Sequence, residues 1–134
     1  MMENWEPWLN DVLSFYKEFD DHRDQTKMIN NYCHVEGQSV TEAFEKLAHN
    51  LLHVSEQVMY VFEDKDPRLL DTLTRFMYGY VTWHLSDERY CMNEVYERVC
   101  EKDEMGRKFC RYYEDASKVG RIDPAQWARL SVSE

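Results

Sequence analysis

From Ser39 to Phe62, apolar residues return every three or four positions, the interval of a long amphipathic helix and of no other regular structure. Val40, Phe44, Leu47, Leu51, Val58 and Phe62 hold one face. Ser39 with Glu42 forms a capping box at the start, and the charged run Glu63-Asp64-Lys65-Asp66 closes the segment. Asp66-Pro67, a cap followed by proline at the first helical position, opens a further helix. There Leu69, Leu73, Phe76, Met77, Tyr80, Val81 and His84 share a face.

The same spacing governs the rest. Trp5, Trp8, Leu9, Val12, Phe15, Tyr16 and Phe19 predict a helix from about Asn4 to Asp20, with Asn4 as its cap and Pro7 in its first turn. Met28, Ile29, Tyr32 and Cys33 predict a second, between Asp24 and Val35, broken by Gly37. Ser86-Asp87-Glu88 marks a new start, followed by Cys91, Met92, Val95, Tyr96 and Val99. Met105, Phe109, Tyr112, Tyr113 and Ala116 predict a sixth helix that stops near Gly120. Asp123-Pro124 opens a short last one with Trp127 and Leu130. No alternation of period two predicts a strand. The expected fold is all-α, an irregular bundle of five to seven helices in a single acidic domain over residues 1–134.

Hydrophobic residues make up 43% of the chain, enough for a core. The formal charge is −10, which disfavours direct binding to nucleic acid or to an anionic membrane. It is uneven: residues 1–66 hold 14 acids and 5 bases, residues 67–134 hold 12 acids and 11 bases. Cys33, Cys91, Cys100 and Cys110 include no C-x-x-C pair, and Met1 to Asn10 carries two acids and no long apolar run. A cytoplasmic chain with free thiols and no leader peptide is expected.

Several groups carry candidate chemistry. Glu45, His49 and His53 stack at four-residue steps, a spacing that suits a divalent metal, but on the face opposite the apolar stripe, as a solvated surface would be. His84, Cys91, Cys100 and Cys110 are soft donors without the tight ligand pair of a structural zinc site, and His84 reads as a hydrogen-bonded core histidine. No metal or other cofactor is expected. Tyr78 lies opposite its helix's apolar face, and Trp5 with Trp8 sits near a chain end, a composition common at protein interfaces.

The leading expectation is a non-enzymatic interaction or inhibitor protein. It would bind a basic, nucleic-acid-binding protein by imitating the phosphate charge of a duplex, in the manner of phage and mobile-element inhibitors. The expected partner-binding acids are Glu3, Glu6, Asp11, Glu18, Asp20, Asp21 and Asp24, with Glu42, Glu45, Glu63 and Asp64 as a second group. A second expectation rests on Glu42-x-x-Glu45 and Glu63-x-x-Asp66. This is similar to the E-x-x-E…E-x-x-D pattern of the all-α nucleoside triphosphate pyrophosphohydrolases, and the resemblance implies Mg²⁺-dependent hydrolysis on those four carboxylates. A third is a structural or chaperone subunit that self-associates, as a homodimer for example.

Overall fold

The computed structural model describes residues 2–18 and 27–119. Among them are six α-helices and no strand: α1 (Met2–Glu18), α2 (Met28–Glu36), α3 (Val40–Glu63), α4 (Pro67–Ser86), α5 (Met92–Val99) and α6 (Glu104–Ala116), with a short 3₁₀ turn at Glu88–Tyr90. The expected all-α bundle is the observed one. The last short helix, with Trp127 and Leu130, lies outside the described residues.

Local chemistry sets the boundaries. The Glu42 N–H donates to Ser39 Oγ, and the Ser39 N–H donates to Glu42 Oε2, so the capping box at α3 is complete. Asp66 accepts from the Arg68 N–H with Pro67 behind it, Asp87 accepts from the Arg89 N–H, and Asp103 accepts from the Gly106 N–H. Each such cap contributes on the order of 1 kcal/mol. Gly37 ends α2 at φ 68°, the left-handed region that glycine enters without steric cost. α1 departs from expectation, because it begins at Met2 and Pro7 falls inside it. There proline gives up the hydrogen bond an N–H would have given the Glu3 carbonyl, and its ring crowds that same carbonyl.

α1 runs antiparallel to α3: Trp5 Nε1 donates to Ser55 Oγ near one end, and Phe15 meets Phe44 near the other. α4 returns alongside both, with Thr74 beside Met59 of α3 and Trp5 against Phe76 and Tyr80. Trp5, Leu9, Leu51, Val54 and Val58 form the core between these three helices. α2 closes one end through Ile29, Ala43 and Leu47, and α5 with α6 closes the other around Leu85, Tyr90, Met92 and Ala116.

The expectation of four free thiols is corrected. Cys100, just past α5, is joined to Cys110 of α6 with the Cα atoms 5.6 Å apart, a separation that suits a disulfide. The turn between α5 and α6 folds the chain back on itself and brings together two cysteines whose spacing carries no pairing signal. Cys33 and Cys91 are free. No described helix is long and apolar enough to cross a membrane.

Candidate functional site

α1, α4 and the 3₁₀ turn meet around one asparagine. The Tyr90 hydroxyl and His84 Nε2 each lie 3.3 Å from the same end of the Asn10 side-chain amide. On its other side, His84 Nδ1 donates to the Tyr80 carbonyl at 2.8 Å. His84 is 0% exposed and Tyr90 is also buried, so the expected core histidine is confirmed. One turn beyond Asn10, Ser14 is 1% exposed, and its hydroxyl has no hydrogen-bond partner among the described residues. A serine in mid-helix ordinarily returns its hydrogen to the carbonyl four residues back, so this is a buried oxygen that no described residue uses.

Aromatic rings surround the cluster. His84 lies 4.4 Å from the Tyr90 ring, 4.6 Å from Tyr80 and 4.7 Å from Trp83, centroid to centroid. The row continues along α4 through Tyr80 to Phe76, with Trp5 beneath both. Trp5, His84 and Tyr90 are buried and Tyr80 is half-buried, but Trp83 is 46% and Phe76 44% exposed. The result is an aromatic wall with one open face beside a buried polar patch.

The electrostatics follow from burial. Desolvation pushes the His84 imidazole below the ordinary histidine value, against the opposing hydrogen bond to Tyr80 and the charge of Asp87. Burial likewise raises Tyr80, helped by the nearby charge of Glu6. For His84 the unfolded chain binds the proton more readily than the fold does. Stability is therefore fully present above the ordinary histidine pKa and declines as pH falls from there to the lower folded-state value. The slope of the urea-unfolding midpoint across that window should flatten in His84→Gln, and an unchanged slope in that variant would reject the assignment.

The expected partner-binding acids do not assemble into one surface. Glu3 and Glu6 lie at the start of α1, beside the C-terminal half of α3, whereas Glu42 and Glu45 stand at the opposite end of α3. Asp11 is spent inside the fold, accepting from the Met28 N–H at 3.0 Å. Glu63 and Asp64 are exposed where α3 ends. Asp20, Asp21 and Asp24, and the side chain of Glu18, lie outside what the structure describes.

The phosphohydrolase carboxylates do not assemble either. Glu45 and Glu63 are on the same helix, roughly 27 Å apart at 1.5 Å per residue. Glu42 is held low in pKa by Ser39 in the capping box, and Asp66 by Arg68. Glu45, His49 and His53 are exposed, and no group of three or more His, Cys, Asp or Glu among the described residues is placed to hold a metal ion.

Sequence reasoning missed Asn10 and Ser14. A usable signal existed: Asn10, Ser14 and Glu18 recur at four-residue steps, one line of oxygen-bearing residues along α1. Reading α1 for its apolar stripe passed over them.

Comparison with known proteins gives a consistent result. The family model described as Trichodiene synthase (TRI5) matches residues 1–134. The trichodiene synthase of Fusarium sporotrichioides is 52% identical over 134 residues, 99% of this chain and 36% of that protein. The trichodiene synthase of Gibberella pulicaris is 52% identical across 99% of this chain and 35% of its own length, and that of Fusarium poae 51% across 99% and 36%. The chain thus spans about a third of the length of these relatives. Relatives named as synthases overturn the expected non-enzymatic inhibitor, its basic nucleic-acid-binding partner and its phage or mobile-element character. They equally overturn the nucleoside triphosphate pyrophosphohydrolase and the structural or chaperone subunit with no separate activity.

Proposed function

The chain belongs to the trichodiene synthase family, and from that we propose that it is part of a terpene cyclase and supplies one wall of the chamber in which a hydrocarbon is formed. The observation that carries the reading is the half-open aromatic row Phe76–Tyr80–Trp83 beside Asn10 and Ser14. A diene offers no strong hydrogen-bonding group, so its site must recognise it by shape and apolar surface. Closing rings on a polyene makes carbon centres electron-poor, and aromatic faces attract positive charge.

Asn10 and Ser14, with Glu18 at the next helical step, offer the hard oxygen donors that Mg²⁺ takes. The unused buried hydroxyl of Ser14 fits that role. Such an ion, when bound, would supply electrostatic stabilisation to an anionic group of a substrate. The chain's own residues orient the donors, exclude water and shape the apolar wall. A cytoplasmic location belongs to this proposal and is checked by cell fractionation.

The test is a chimera in which these 134 residues replace the corresponding third of the Fusarium sporotrichioides synthase, expressed in a host that makes terpene precursors. Volatile hydrocarbons are collected and identified by mass spectrometry. The chimera should release trichodiene. Trp83→Leu should alter the product mixture, and Asn10→Ala should lower output by at least about 100-fold if it removes an orienting or ligating group. A folded chimera that makes no hydrocarbon would overturn the reading.

A further inference from the structure

Building on the proposed use of Asn10 as an oxygen donor, we infer that His84 is a positioning residue: it turns the Asn10 side-chain amide so that Nδ2 faces the imidazole and the carbonyl oxygen is presented away from it.

The argument is one of hydrogen-bond polarity. A backbone carbonyl can only accept, so the 2.8 Å contact between His84 Nδ1 and the Tyr80 carbonyl places a hydrogen on Nδ1. A neutral imidazole carries one N–H, and Nε2 is therefore left with a lone pair. That lone pair points at the end of the Asn10 amide, 3.3 Å away. With Oδ1 inward, two acceptors face each other. With Nδ2 inward, one of its hydrogens meets Nε2, and the other is available to the Tyr90 hydroxyl oxygen, 3.3 Å from the same amide position. Heavy-atom positions alone do not distinguish the two ends of an amide, and the surrounding network assigns them.

An imidazolium would satisfy the opposite orientation. It would place a cation where no surface is exposed; Asp87 favours that cation and Arg89 opposes it, neither in hydrogen-bond contact with the ring among the described residues, and burial works against it. The assigned orientation has a consequence for the site. Only the carbonyl oxygen of asparagine can hold a hard cation, and this orientation keeps that oxygen clear of both His84 and Tyr90.

The experiment uses the deuterated chimeric synthase, labelled with ¹⁵N at histidine rings and asparagine side-chain amides. The expected result is a neutral ring protonated at Nδ1 and a scalar coupling across the hydrogen bond between His84 Nε2 and Asn10 Nδ2, lost in Asn10→Asp. A ring protonated at Nε2, or no coupling, overturns the inference whatever the enzyme does. The second arm measures the Mg²⁺ concentration giving half-maximal hydrocarbon formation. His84→Phe leaves the amide free to rotate and should raise that concentration about tenfold, with the rate at saturating Mg²⁺ little changed. His84→Gln, which offers an acceptor at the Nε2 position, should stay within about twofold of the parent. Equal loss in both variants overturns the positioning role. A coupling observed in a folded chimera that makes no hydrocarbon would support the orientation and reject instead the reading of the site as a cyclase.

Discussion

Trp5→Ala is expected to destabilise the fold by about 3–5 kcal/mol, the cost of emptying a large aromatic site in a close-packed core. Trp5 is 3% exposed and stands where three helices meet. It packs with Leu51, Val54 and Val58 of α3, meets the rings of Phe76 and Tyr80 of α4 at a tilt, and donates from Nε1 to Ser55 Oγ at 2.8 Å. Trp5→Phe separates the contributions: it keeps most of the ring volume and loses the hydrogen bond, so about 1–2 kcal/mol is expected. Urea titration gives both values. A loss below about 1 kcal/mol in Trp5→Ala would mean that α1 does not anchor the bundle. Because Trp5 also underlies the aromatic row, the alanine variant should, on the proposed function, disturb the product mixture of the chimeric synthase at temperatures where it remains folded.

The second large effect reverses an ordinary rule. Gly→Ala inside a helix usually stabilises by roughly 0.5–1 kcal/mol. At Gly106 it should destabilise by at least about 2 kcal/mol, since a Cβ there would stand 2.0 Å from the Val99 carbonyl oxygen and 2.9 Å from its carbon. Those atoms are backbone at the end of α5, so the strain cannot be relieved by turning a side chain. α6 would have to withdraw from α5, carrying Phe109 and Tyr113 away from the cluster around Leu85 and Tyr90. Gly79 supplies the control, because a Cβ there meets nothing within 4 Å and Gly79→Ala should follow the usual sign. Thermal unfolding of the two variants side by side decides the matter, and equal shifts would reject the close approach.

The parts of the fold legible in the sequence were those fixed by residues close together in the chain. Ser39 with Glu42, and Asp66 with Pro67, mark the limits of α3 and α4 through bonds that span two or three residues. Gly37 ends α2 for an equally local reason. The Cys100–Cys110 bond was not legible, because it depends on the turn that lays α6 against α5. The acidic surface misled for a related reason. Glu42 and Asp66 stand out in a list of charges, yet in the structure they finish helix ends. Asp11 ties α1 to α2. At the candidate site, His84 was recognisable as a core histidine from its place on the α4 stripe, but the group it serves lies on α1. Asn10 and Ser14 look unremarkable in a pattern that rewards apolar residues, and their meaning comes from what α4 and the 3₁₀ turn bring against them.

The bond from His84 to Asn10 spans 74 residues and that from Tyr90 to Asn10 spans 80. Closing so long a loop carries an entropic cost that only the completed packing of α1 against α3 and α4 can offset. Contacts of that separation form late in folding, after local helices and hairpins. On a ribosome, α1 emerges before α3 and α4, so the part of its apolar stripe that packs on α4 is covered by that helix only once α4 has been made. The polar patch therefore matures only once this stretch of polypeptide is in place, and a chain interrupted before Tyr90 would have helices but no site.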